Sequence, residues 1–251
     1  LPQADRMIAA MKKARKRLAI NWPLAWYPPH VTAHRLIREG VIGELQEVHF
    51  YDGNRGPIQD HGNLAAPEPS LAAKKASWFY DRTGGGSLID YLGYGATLGT
   101  WFFDGKKPSE ITAVTGGAKG APVDEQSVTI ARYGEWLSTF QTRWGTFTSP
   151  WLHQPQPKCG FVLKGTDGTI ANYDYEPTIR VQTRKHPAGK VIPVDRPKLP
   201  RKNPVQYFLH CLESGEEITG PLSVKFARIG QQIVDTATLS AKTKLPQKLL
   251  K

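Results

Sequence analysis

Gly84-Gly85-Gly86-Ser87-Leu88-Ile89-Asp90-Tyr91-Leu92-Gly93-Tyr94-Gly95 is the most informative stretch of this chain. Three glycines run directly into an apolar, helix-compatible segment, Ser87 to Phe103. On a helix, Asp90 and Tyr94 lie one turn apart on the same face. A carboxylate beside a phenol after a flexible entry suits proton handling. The same two residues also fit a helix-start acid and a core aromatic with a satisfied hydroxyl.

Upstream, Met7, Ile8, Met11 and Ala14 recur at helical spacing within Ala4 to Arg17, and the last turn is basic. Leu18 to Trp22 then reads as a short buried strand, as at the tail of an α/β unit. Pro23, Pro28 and Pro29 break the pattern before a helix from His30 to Glu39, stopped by Gly40. Leu45 to Tyr51 reads as a strand, and Asp52 to Lys75 as a long functional or disordered connection.

Downstream of Ser109 the texture changes. Ile111 to Thr115, Gln126 to Tyr133, Trp136 to Trp144, Lys158 to Lys164, Ile170 to Tyr175 and Thr178 to Thr183 are β-branched and aromatic-rich. Asp167-Gly168 marks a hairpin turn. Successive strands without helices between them predict an antiparallel sheet of about six strands, open on one face. Lys185 to Asn203 reads as a basic, Pro-rich loop. Helices are expected over Pro204 to Ser214 and from about Leu222 to Ala241. The expected class is therefore α+β, a mostly antiparallel open sheet with helices on one face. Residues 1–24 form an α/β remnant and 25–251 the main unit.

Composition sets further bounds. The 251 residues carry a net charge of +11, but the basic clusters, Lys12 to Arg17 and Lys198 to Lys202, fall at element ends or in loops. They read as solvated surface, and nucleic acid is not an expected partner. Apolar runs fall short of the roughly 20 residues of a membrane span. Cys159 and Cys211 lack metal-ligand spacing, so no metal site is expected. GxGxxG and GxxxxGK[ST] are absent from the sequence.

Three ordered segments resemble the Gfo/Idh/MocA family of NAD(P)-dependent sugar and polyol oxidoreductases. They are Leu36-Ile37-Arg38-Glu39-Gly40-Val41-Ile42-Gly43, the Gly84 to Asp90 run with Tyr94, and Phe161 to Gly168 followed by Pro221-Leu222-Ser223 and the last helix. The resemblance implies a nucleotide-binding domain followed by a domain with an open antiparallel sheet. Here Asp5 to Arg17 and Leu18 to Trp22 look like the last two elements of the first. The family's Glu-Lys-Pro, with its catalytic lysine, would lie before Leu1. The implied function is hydride transfer between NAD or NADP and a sugar-like hydroxyl substrate, with a non-catalytic sugar-responsive protein as the alternative.

By the same resemblance, Asp90 and Tyr94 are catalytic, Tyr94 marking the glucose–fructose oxidoreductase branch. Leu24 or Ala25 stands where the family has an arginine. Tyr27, Thr97, Trp151 and His153 are candidate substrate contacts, and Asn21 and Trp22 candidate cofactor contacts. Tyr27 and Trp22 equally suit inter-domain packing, and Trp151 and His153 loop packing. A homo-oligomer through the open sheet face, around Trp136 to Trp144, and a cytoplasmic location are expected, with the periplasm left open.

Overall fold

The computed structural model describes residues 1–60, 62–63, 65–146 and 159–251. Among them, nine strands form one open sheet in the order β8-β7-β6-β5-β1-β4-β3-β2-β9. The strands are β1 (Leu45–Gly53), β2 (Glu110–Gly116), β3 (Gln126–Tyr133), β4 (Trp136–Arg143), β5 (Gly160–Gly165), β6 (Gly168–Tyr173), β7 (Thr178–Thr183), β8 (His186–Pro193) and β9 (Gln247–Lys248). Neighbours run antiparallel except the β1–β4 pair, which is parallel with Phe50 opposite Phe140. The class expected from the sequence is thus observed, with more strands than the expected six.

Two of the extra strands lie at the edges. β8 occupies residues read as loop and pairs only with β7. An edge strand needs one bonding side, so it tolerates Pro187 and Pro193, and it lies almost wholly exposed, without apolar alternation. β9 is two residues long and pairs with β2.

The helices are α1 (Pro2–Lys13), α2 (Pro28–Arg38), α3 (Leu71–Ala76), α4 (Ser87–Phe102), α5 (Pro204–Ser214) and α6 (Val224–Thr243). Pro28 and Pro29 open α2 instead of merely interrupting the chain, because a first-turn position has no N–H partner to lose. The expected strand at Leu18 to Trp22 reduces to one bridge, Ala19 to Ser223. Among the described residues no sheet neighbour lies alongside it, and the Ile20 N–H donates to the Leu222 carbonyl, 2.9 Å.

The core lies between the sheet and the α4/α6 layer, with Leu92, Ala96 and Leu98 from α4 facing Phe140, Phe161 and Leu163, and Ile233 and Ala237 from α6. α4 sits unusually close to the strands. A Cβ at Gly95 would stand 2.6 Å from Phe50, and one at Gly99 2.9 Å from Phe140. The glycines spaced four apart form the face that contacts these two rings. Ser127, Thr129, Ser138 and Thr142 make several inward positions of β3 and β4 small and polar, between the larger Tyr133 and Phe140. Ser127 and Thr142 hydroxyls bond at 2.7 Å, and Thr142 meets Ser87 at 3.2 Å.

Candidate functional site

The Gly-rich entry to α4 is built by close approach. Gly86 has φ +105°, and a Cβ there would meet an Asp124 carboxylate oxygen at 2.4 Å; one at Gly85 would meet the Phe79 carbonyl at 2.1 Å. The position of Gly84 is open. Asp124, from the β2–β3 connection, supplies the cap that a glycine lacks. Its carboxylate accepts from the Leu88 N–H at 2.9 Å and the Ser87 hydroxyl at 2.8 Å. The run is therefore a seat for a capping carboxylate.

That seat fixes Asp90 in the first turn of α4. Its carboxylate accepts from the Trp144 indole N–H at 3.1 Å. Burial pushes the Asp90 carboxyl above the usual range, and the Trp144 bond opposes the shift. One turn on, Tyr94 packs edge-on against Trp22, 5.2 Å between centroids, and beside Tyr91 at 6.1 Å. Burial and the Asp90 and Asp52 charges raise the Tyr94 phenol.

Asp52, at the end of β1, is the residue the sequence reading missed. It is buried, and desolvation with the Asp90 charge pushes its carboxyl up to about 7, against a Gly53 backbone bond and the Cys159 thiol. The phenols of Tyr27, Tyr91, Tyr94 and Tyr175 all feel its charge and are all raised, in each case chiefly by burial. Tyr27 also stacks edge-on against Tyr175 at 4.9 Å and against the buried His30 at 5.4 Å. A signal for Asp52 existed in the sequence: Val48, Phe50 and Asp52 alternate on one face of β1, placing an acid in an apolar row.

The arrangement gathers two carboxylates, four phenols and no cation among the groups that perturb them. Such a site supplies protonated hydroxyl donors and carboxylate acceptors, the complement of a polyhydroxylated ligand, and one acid that changes protonation near neutrality.

The other sequence candidates scatter. Tyr27 joins the Asp52 cluster. Thr97 is fully buried at the α4–α6 contact, where a Cβ on Gly230 would stand 2.4 Å from its hydroxyl. Asn21 is exposed. Trp22 lines a largely apolar cavity of about 520 Å³ with Leu18, Ile20 and Ile89, and its indole N–H is buried without a partner. Trp151 and His153 lie outside the described residues.

A family model described as the GFO/IDH/MocA C-terminal domain matches residues 30–171. The chain belongs to this family. Solved structures share the fold of this GFO/IDH/MocA chain at low identity. An aldose-aldose oxidoreductase from Caulobacter crescentus, complexed with glycerol, superposes with TM-score 0.74 at 17% identity, covering 98% of this chain and 68% of its own. An oxidoreductase from Agrobacterium radiobacter, in complex with NAD+, L-tartaric acid and magnesium, gives 0.72 at 15%, covering 98% and 69%. A levoglucosan dehydrogenase in complex with NADH and levoglucosan gives 0.72 at 14%, covering 100% and 70%. The GFO/IDH/MocA chain thus spans about 70% of the length of these structures. No helix among the described residues is long and apolar enough to cross a membrane.

Proposed function

We propose that this chain is the substrate-binding portion of an oxidoreductase that transfers hydride between NAD or NADP and a sugar, polyol or related hydroxyl compound. The convergence of Asp52 and Asp90 with four phenols at one end of α4 carries this reading. Family membership supports it, as do the nicotinamide and hydroxyl ligands bound in fold relatives.

Residues 1–24 are proposed as the end of a nucleotide-binding domain, with 25–251 as the substrate domain. In support, α1 has no buried residue and contributes one wall of the Trp22 cavity. The residues present fit the nicotinamide end of a dinucleotide: Trp22 offers an aromatic ring and an orphaned indole donor beside Tyr94, with Asn21 exposed next to it. A bound nicotinamide would supply the hydride acceptor. In the direction of alcohol oxidation, Asp52 takes the hydroxyl proton near neutrality. Tyr94, its phenol raised rather than lowered, stays protonated and donates a hydrogen bond to the reacting oxygen, and Asp90, held by Trp144, accepts from substrate hydroxyls.

The sheet face away from the helices is the proposed self-association surface. The Trp136 to Trp144 stretch argues less for it than the sequence suggested, since Phe140 of β4 and Trp144 just beyond it are buried, while Trp136 and Leu137 remain exposed. Val114 and Val191 remain exposed.

The deciding measurement is titration of the complete gene product with NADH and NADPH, followed by turnover on a polyol and aldose panel. Binding with turnover lost in Tyr94→Phe and Asp90→Asn is expected. Sugar binding without nicotinamide binding would overturn the enzyme and leave a sugar-responsive protein.

A further inference from the structure

A second cavity, of about 820 Å³, opens at the opposite end of α4. It is bounded by Trp101 near the C-terminus of α4, by α2, by the 194–203 connection and by the start of α6. Trp101 is eleven residues beyond Asp90, which places it about 16 Å along the helix axis from the carboxylate site at ~1.5 Å per residue.

Its charge is one-sided. Arg35 and Arg38 also line it, but each is matched: Arg35 by Asp195 at 2.7 Å and Glu39 at 2.9 Å, Arg38 by Asp104 at 3.3 Å. Arg196, Lys198, Arg201 and Lys225 line the same cavity and have no ion-pair partner among the described residues. Arg201 is nonetheless fixed in place. Its Nη2 donates to the Tyr207 hydroxyl at 3.1 Å and the Thr219 hydroxyl at 3.0 Å, and its guanidinium lies 4.2 Å over the Tyr207 ring. Neutral groups orient this cation and leave its charge uncompensated, which is pre-organisation for an anion.

The walls are aromatic. Trp101 is stacked on His34 with centroids 4.2 Å apart and planes at 15°, and Trp26 leans on Tyr207 at 5.8 Å. The Trp26 indole N–H is buried without a hydrogen-bond partner among the described residues. Four uncompensated cations beside flat rings match a ligand with clustered negative oxygens joined to a planar group. A solvated basic surface needs neither the oriented arginine nor the aromatic walls.

We propose that this cavity binds a small phosphorylated ligand bearing a planar ring, of nucleoside-diphosphate chemistry, at a site separate from the Asp52–Asp90 cluster. The inference does not depend on the oxidoreductase reading, since it uses none of those residues.

The test is calorimetric titration of the complete protein, saturated beforehand with NADH so that a dinucleotide site cannot take the titrant, with ADP, with inorganic pyrophosphate and with a single-stranded oligonucleotide. The variants are Lys198→Gln/Lys225→Gln and Arg201→Gln, with Asp90→Asn as the control. The two lysines are exposed, so their double variant remains a test if Arg201→Gln fails to fold. Saturable ADP binding that weakens at least tenfold in the lysine double variant and is unchanged in Asp90→Asn is the expected result. ADP binding indifferent to the lysine pair, or no ADP binding, overturns the site. Pyrophosphate binding as tightly as ADP overturns the planar-ring part. An oligonucleotide binding more tightly than ADP overturns the small-ligand assignment in favour of a nucleic-acid surface.

Discussion

The two ends of α4 treat charge in opposite ways. At the first turn, Asp90 is half-buried beside a second buried carboxylate, Asp52, and the ionisable groups there disfavour one another's charged forms. Just past the last turn, Asp104 is exposed and paired with an exposed Arg38. The helix dipole favours an acid at the N-terminus, but its worth is about 1 kcal/mol and does not offset burying two carboxylates together. The first end therefore carries an unfavourable electrostatic arrangement that packing holds in place, as expected where charge performs chemistry. The second end carries ordinary surface pairing beside a basic cavity.

Four substitutions separate the ends, in order of expected effect. Asp90→Asn in the complete protein should lower turnover by about 10²- to 10⁴-fold with the fold intact, measured by steady-state kinetics and circular dichroism. A drop below about threefold would remove the first end from the chemistry.

Asp52→Asn should stabilise the protein at pH 8 by on the order of a few kcal/mol, because burial holds the native carboxyl up at about 7. The sign follows from the raised carboxyl. Between about 4 and 7 the folded state holds a proton that the unfolded state releases, so wild-type stability is present at low pH and falls as pH rises through about 7. The variant should lack this fall. Urea denaturation at pH 4 and pH 8 measures it, and equal pH dependence in both proteins would contradict a buried, protonated Asp52.

Asp124→Ala removes the cap of α4 and should destabilise by about 1–2 kcal/mol, with Asp124→Asn recovering most of that loss because it keeps an acceptor. At the other end, Arg38→Gln should shift stability by less than about 0.5 kcal/mol and leave turnover unchanged, because its ion pair is solvent-exposed. An Arg38 effect as large as that of Asp124 would mean that the two ends do not differ in kind.

Local chemistry made much of this legible in the sequence. Pro204 to Ser214 and Thr178 to Thr183 are found as read, and α4 begins at Ser87 as expected. These segments carry their own start and stop signals. β8 and β9 were missed because exposed edge residues carry no alternation. At the site, Asp90, Tyr94 and Tyr27 fall in one cluster, whereas Thr97 shares α4 with Asp90 and Tyr94 yet packs against Gly230, a contact set by where α6 crosses. Asp52 is legible as the acid closing the Val48–Phe50 row, but its partners are not. Its raised carboxyl comes from Asp90 and the interior around it, and that is not written in the residues flanking it.

The single parallel pairing in the sheet has a kinetic consequence. β1 lies at the centre, yet its neighbours are distant in sequence: Val48 bonds to Ser138, 90 residues away, and Gln46 to Lys164, 118 away. A chain emerging from a ribosome cannot complete its central strand until both arrive. The β3–β4 and β5–β6 hairpins close over short loops and are free to form first, leaving β1 to insert between finished halves. Until it does, the apolar row Val48 and Phe50 has no cover, and this interval is when the chain is most exposed to aggregation.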